Sequence, residues 1–121
     1  RYGLAAAREG LQQLMRAPTP PTAVVCGNDV LAFGALFEAQ RLGIEVPREL
    51  SIVGFDDLEL ASHVHPALTT VHVPAEAMWR TAAEQVLAML RGGEAPPDAQ
   101  VEVSLVVRGS TAPPASSRGK R

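Results

Sequence analysis

Thr22-Ala23-Val24-Val25-Cys26-Gly27-Asn28-Asp29 is the stretch on which the fold of this chain turns. Five residues without a charge form a short apolar run of the kind found in parallel strands buried on both faces. Gly27-Asn28-Asp29 then makes a turn whose polar side chains can cap a following helix. Residues 30–42 carry that helix, and Gly43 suits its C-terminal stop. A second run of the same type follows, Leu50-Ser51-Ile52-Val53-Gly54-Phe55, and it also ends in acids, Asp56-Asp57.

Outward from these two strands the same alternation continues. Residues 4–16 are rich in Ala, Leu, Gln and Arg and predict a helix. Leu4, Leu11, Leu14 and Met15 give it an apolar side, and Pro18, Pro20 and Pro21 end it. Residues 45–49 read as a loop around Pro47, and a helical turn is predicted over 58–62 before the Pro66 break. Residues 69–73 form a third, β-branched strand. Pro74 fits the first turn of a helix reaching Leu90. Gly92-Gly93 and Pro96-Pro97 mark a loop, and residues 101–107 a last strand. Residues 112–121, rich in Pro, Ser and basic residues, read as a disordered tail after a domain spanning 1–111. Buried strands alternating with helices predict an α/β fold with a parallel sheet and helices on both faces.

Composition excludes several functions. The 121 residues suffice for one core, and no apolar run approaches the roughly 20 residues of a membrane span. Eleven basic against 13 acidic residues give a net charge of −2, unsuited to gripping phosphates without a separate basic element. The single lysine, Lys120, stands beside no phosphate-loop glycines. One cysteine, Cys26, rules out an internal disulfide and a cysteine-based zinc site, and fits a cytoplasmic setting. No nucleophile elbow or dinucleotide fingerprint is present. The chain begins at Arg1 without an initiator Met or a leader, and further sequence upstream is expected.

The candidate ligand residues are therefore the two polar clusters at the strand ends. Ligands of open parallel sheets bind beyond the carboxyl ends of the strands. The amide of Asn28 offers a donor and an acceptor, and the carboxylates of Asp29, Asp56 and Asp57 each accept two bonds, which suits sugar hydroxyls or a nucleobase edge. Each cluster alone could equally serve as a helix cap or turn closure. A divalent metal on Asp56-Asp57 lacks a third carboxylate at suitable spacing, so neither a metal nor a cofactor is expected. His63-Val64-His65 reads as an exposed or interface loop, His72 as partly buried, Cys26 as a small core residue and Trp79 as helix packing. The helix over 30–42 has two apolar stripes: Leu31, Ala35 and Leu42, which can face the sheet, and Val30, Phe33 and Phe37. The second stripe reads as either deep burial or a subunit interface.

Several of these motifs together resemble the lactose/galactose repressor (LacI/GalR) family. The resemblance rests on Pro21 to Asp29 followed by Ala32-Phe33-Gly34-Ala35-Leu36, then Gly43-Ile44-Glu45-Val46-Pro47 and Leu50 to Asp57. Pro66-Ala67-Leu68-Thr69-Thr70-Val71 and Leu105-Val106-Val107-Arg108-Gly109-Ser110-Thr111 complete it. The resemblance implies the C-terminal, incomplete portion of a periplasmic-binding-protein-like effector domain. It also implies a small polar effector, sugar-like, held by Asn28 and Asp56 with Asp29 and Asp57 as support, and no enzymatic activity. A homodimer would form through Phe33, Phe37, Leu60, His63 and Val64. Operator DNA would be contacted only by a helix-turn-helix head that this chain lacks. In that architecture the chain crosses to a second subdomain after the third strand, and the helix over 75–90 packs there. One position departs from the family pattern, because Val73 stands where members often carry Gln. A transporter's periplasmic sugar-binding protein is the alternative reading, and a metal-dependent hydrolase using Asp56 and Asp57 a distant third.

Overall fold

The computed structural model describes residues 3–94 and 96–114. Helix α1 (Leu4–Met15) leads into strand β1 (Ala23–Val25), and helix α2 (Asp29–Leu42) into strand β2 (Ser51–Val53). A short 3-10 turn (Glu59–Ser62) precedes strand β3 (Thr70–His72). Helix α3 (Ala75–Leu90) then leads to strand β4 (Ser104–Val106). Element order and type follow the sequence reading, while each strand is shorter than its apolar run.

β1 and β2 pair in parallel, with Val24 opposite Ile52. Parallel bridges Val53–Thr69 and Asp56–His72 join β2 to β3. The closing strand differs from an all-parallel sheet, since β4 pairs antiparallel with β3, Val71 opposite Leu105. An apolar pattern fixes that a segment is a strand but not its direction, which depends on where α3 delivers the chain.

The core lies between α1, α2 and the sheet. Leu11, Phe33, Leu36, Leu50, Ile52 and Leu68 are buried there. Gly34 lets the two helices touch, because a Cβ at that position would meet the Ala7 side chain and the Leu4 backbone. Glu38 seals the same contact. Its buried carboxylate accepts from Arg8 of α1 (3.0 Å), Gln12 of α1 (2.6 Å) and Arg41 (2.6 Å). The Arg41 and Gln12 bonds hold its carboxyl down at about 2, against the cost of burial.

The second stripe of α2 is split. Phe33 is 4 % exposed and belongs to the core, whereas Phe37 remains 45 % exposed. Of the stripe expected to face the sheet, Ala35 is buried and Leu42 is exposed. The sheet-facing set is instead Ala32, Phe33, Ala35, Leu36 and Ala39. Helical spacing allowed either phase, and the contact with α1 selects this one.

Among the described residues α1 and α2 pack on each other, and α3 buries no residue. Trp79, read as helix packing, is 67 % exposed, and Leu90 is 78 % exposed. The proposed tail begins later than residue 112. Ala112 exchanges two hydrogen bonds with Ser51 Oγ (3.1 and 3.2 Å). The rest of that reading, residues 115–121, lies outside the described residues. None of the helices described is long and apolar enough to cross a membrane.

Candidate functional site

The two strand-end clusters meet. The Asp29 backbone N–H donates to the Phe55 carbonyl (2.8 Å), which lashes the turn after β1 to the segment after β2. Asp29 itself is fully buried. One carboxylate oxygen accepts from Thr70 Oγ1 (2.6 Å), the other from the Leu58 N–H (2.7 Å). Asp29 thus ties α2, the 56–58 turn and β3 together. Gly54 makes this possible, since a Cβ there would collide with the Asp29 carboxylate and with Leu68. Asp29 is thus a buried brace between these three elements.

Asn28 caps α2, its Oδ1 accepting from the Leu31 N–H (2.9 Å). That is the capping role considered for it from sequence. Its side-chain NH2 donates to no other group among the described residues, and Asn28 stands outside the lining of the cavity described next.

Asp56 has φ +114° and Asp57 φ +59°. Positive φ is uncommon for residues other than glycine and costs on the order of 1–3 kcal/mol where the region is sparsely populated. Asp56 is exposed, and among the described residues its carboxylate has neither a hydrogen bond nor an ion pair. It lines a cavity of about 740 Å³ between the 56–59 turn, the end of β3 and the first turns of α3. His72, Val73, Glu76 and Arg80 share that lining. Val73, the position that departs from the family pattern, therefore presents an apolar wall.

Asp57 lines the same cavity but is paired. Its Oδ1 accepts from the Arg108 guanidinium (2.7 Å), and its Oδ2 lies 3.0 Å from His72 Nδ1. Burial works against its charge. The hydrogen bonds from Arg108 and His72 outweigh that and hold the carboxyl below the usual range. Arg108 also donates to the Leu68 carbonyl (2.9 Å), and its backbone N–H donates to Thr69 Oγ1 (2.9 Å). Ser110 completes the frame: its hydroxyl donates to the Ile52 carbonyl (2.6 Å) and accepts from the Thr69 N–H (2.8 Å). Arg108, Ser110 and Thr70 had no assigned role in the sequence reading. Their partners lie some forty to sixty residues away, and no local pattern signals such a pairing.

The remaining candidates fall elsewhere. Phe37, Leu60 and His63 are exposed, and Val64 is half-buried against the core. Burial pushes the Cys26 thiol up to about 11, with the nearby Asp29 charge adding to it, so it is protonated at neutral pH. Among the described residues no group of three His, Cys, Asp or Glu is placed to hold a metal ion.

The sequence profile of the periplasmic binding protein-like domain matches residues 1–111. The HTH-type transcriptional repressor CytR of Escherichia coli is 40 % identical over 107 residues, which cover 88 % of this chain and 31 % of CytR. A LacI family transcriptional regulator from Mycobacterium smegmatis superposes with a TM-score of 0.84 at 38 % identity, covering 93 % of this chain and 43 % of that one. A sugar-binding transcriptional regulator of the LacI family from Escherichia coli, in complex with phosphate, gives a TM-score of 0.82 at 32 % identity. That match covers 93 % of this chain and 41 % of the other. The chain thus spans about a third of the length of the curated relative described here.

Proposed function

The chain belongs to the periplasmic binding protein-like domain family in its LacI-type regulator branch, and on that premise we propose that residues 1–111 are the effector-binding portion of a DNA-binding repressor. The observation that carries this is Asp56. Its exposed carboxylate, unpaired among the described residues, stands beyond the end of β2 in a cavity of about 740 Å³, where ligands of open α/β sheets bind. A carboxylate accepts hydrogen bonds but cannot donate them. The effector is therefore a small molecule rich in hydroxyl or N–H donors, and a sugar fits. One neighbour is itself described as sugar-binding. Val73 packs against an apolar face of the ligand, and Asn28, outside the cavity lining, offers its amide to the part of the ligand that extends past the cavity toward the end of β1.

Because the relatives are transcriptional regulators, we read the protein as a binding module rather than an enzyme, working in the cytoplasm. Effector binding changes the affinity of a separate helix-turn-helix head for its operator, a coupling between two distinct sites. Operators with two-fold symmetry call for a homodimer, built on Phe37, Leu60, His63 and Val64 beside the buried Phe33. The relatives described above are transcriptional regulators, which favours this reading over a transporter's binding protein.

The test is calorimetry with glucose, galactose, ribose, maltose, adenosine and cytidine. At least one is expected to bind. Asp56→Ala removes a charge-assisted bond worth roughly 1.5–3 kcal/mol, so affinity should fall by about ten- to a hundredfold. Unchanged affinity in Asp56→Ala would remove this residue from the site.

A further inference from the structure

Asp57 holds a position that ligand binding alone does not explain. β3 carries the chain out to α3, and β4 brings it back. α3 buries nothing against the body, so these two crossings are its attachment. Asp57 grips both. One oxygen takes Arg108, two residues beyond β4, at 2.7 Å, and the other faces His72, the last residue of β3, at 3.0 Å. The carboxylate is 16 % exposed and Arg108 20 %, so water screens this pair far less than the surface pairs. The same guanidinium reaches the Leu68 carbonyl ahead of β3. Two points on the ribbon therefore meet on the Asp57 carboxylate, and Leu68 joins them through Arg108.

The next residue back is Asp56, and it is coupled to the same ribbon. Its N–H donates to the Val71 carbonyl (3.0 Å). Both residues adopt positive φ and both line the cavity, so the turn that carries the unpaired Asp56 carboxylate is the one that Asp57 anchors. We propose that Asp57 is a positioning residue: it clamps the β3–β4 ribbon to the 56–58 turn, sets the Asp56 carboxylate in the cavity, and ties occupancy of the cavity to the placement of α3. The proposal rests on the crevice reading above only for what Asp56 contacts. The clamp itself is testable without a ligand.

The experiment is amide hydrogen exchange on the full chain, unaltered and with Asp57→Asn. Asparagine tolerates positive φ and keeps one carbonyl acceptor, so the fold survives while the charge is lost. Amides of Asp56, His72 and Leu105 should exchange about tenfold faster or more. Those of Leu36 and Ile52, and the melting temperature, should hold. Arg108→Lys keeps the charge but loses the fork that spans two acceptors. It should speed the same amides, and the double variant should be no faster than Asp57→Asn alone. For a compound of the panel that binds, Asp57→Asn should weaken affinity about tenfold without abolishing it.

Unchanged exchange at His72 and Leu105 would overturn the clamp. An equal rise at Leu36 and Ile52 would reduce Asp57 to a general stability role and overturn it as well. If the clamp holds but no compound of the panel is weakened by Asp56→Ala, the crevice reading fails while the ribbon coupling stands.

Discussion

α2 and α3 are helices of comparable length, 14 and 16 residues, and both carry large apolar side chains. α2 buries eight of its residues and α3 none. α2 lies between α1 and the sheet, where Gly34 admits close contact and Glu38 binds Arg8 and Gln12 across the seam and Arg41 on its own helix. α3 stands on its two crossings with Trp79, Val86, Leu87, Met89 and Leu90 open. The difference shows that an apolar stripe states a need for a partner without supplying one. In relatives about three times as long, the rest of the chain offers surface for such a face.

That contrast is sharpest in core truncations. Leu36→Ala, at a fully buried site, should cost about 2–5 kcal/mol in urea unfolding. Trp79→Ala and Leu90→Ala should each change stability by under about 0.5 kcal/mol. Equal losses at the two sites would mean that α3 is packed after all. The open face has a second consequence. Each large apolar side chain left in water forgoes roughly 1.5–3 kcal/mol of burial, against a whole-domain stability of about 5–15 kcal/mol. The chain by itself should self-associate and bind a hydrophobic dye. Trp79→Gln with Leu90→Gln should reduce both, as read by light scattering and dye fluorescence.

The Asp29 brace ranks next. Asp29→Ala strands the buried Thr70 hydroxyl and the Leu58 N–H, with an expected cost of about 1.5–3 kcal/mol. Asn28→Ala, which removes only the cap on Leu31, should cost about 1 kcal/mol. Chemical unfolding separates them, and a reversed order would make Asn28 rather than Asp29 the anchor of the turn.

The seam between α1 and α2 responds to acid. The Glu38 carboxyl is depressed to about 2 from the ordinary 4.5. A depressed acid contributes stability that is fully present above its unfolded value and is lost as pH falls through the folded one. Stability should therefore decline between about pH 4.5 and 2, and Glu38→Gln should flatten that part of the curve. A wild-type slope retained in Glu38→Gln would assign the acid sensitivity to other carboxylates. Assembly supplies the smallest change in fold energy: Phe37→Glu leaves the core intact and should convert dimers to monomers by light scattering.

Much of this was legible in the sequence, for definable reasons. Every helix and strand was visible because each strand is a short uncharged run and α2 begins and ends on capping residues, although the burial on both faces expected of the strands is approached only by β2, Val25 of β1 being 81 % exposed and Leu105 of β4 62 %. The Asp56 position was visible because polar residues immediately after a buried strand stand at the sheet's carboxyl edge. The antiparallel course of β4 was not, since strand direction leaves no mark on composition. Nor was the choice between Phe33 and Phe37, which helical spacing places on one stripe and the α1 contact divides. Asp29, Arg108 and Ser110 act on partners that the chain brings near only by folding. The two acids of Asp56-Asp57 read alike in sequence, and their different roles come from the pairing that folding gives Asp57 with Arg108 and His72.

The central claim is that the polar cavity above β2 and β3, and not the apolar cleft between α1 and β1, receives the effector. The direct measurement is an amide chemical-shift map of the labelled chain titrated with the compound of the panel that binds. The account expects the largest shifts at Asn28, Asp56, Asp57, His72 and Val73, fading toward α1. Shifts centred on Ala7, Leu11, Val24 and Leu31, which line the apolar cleft, would contradict it.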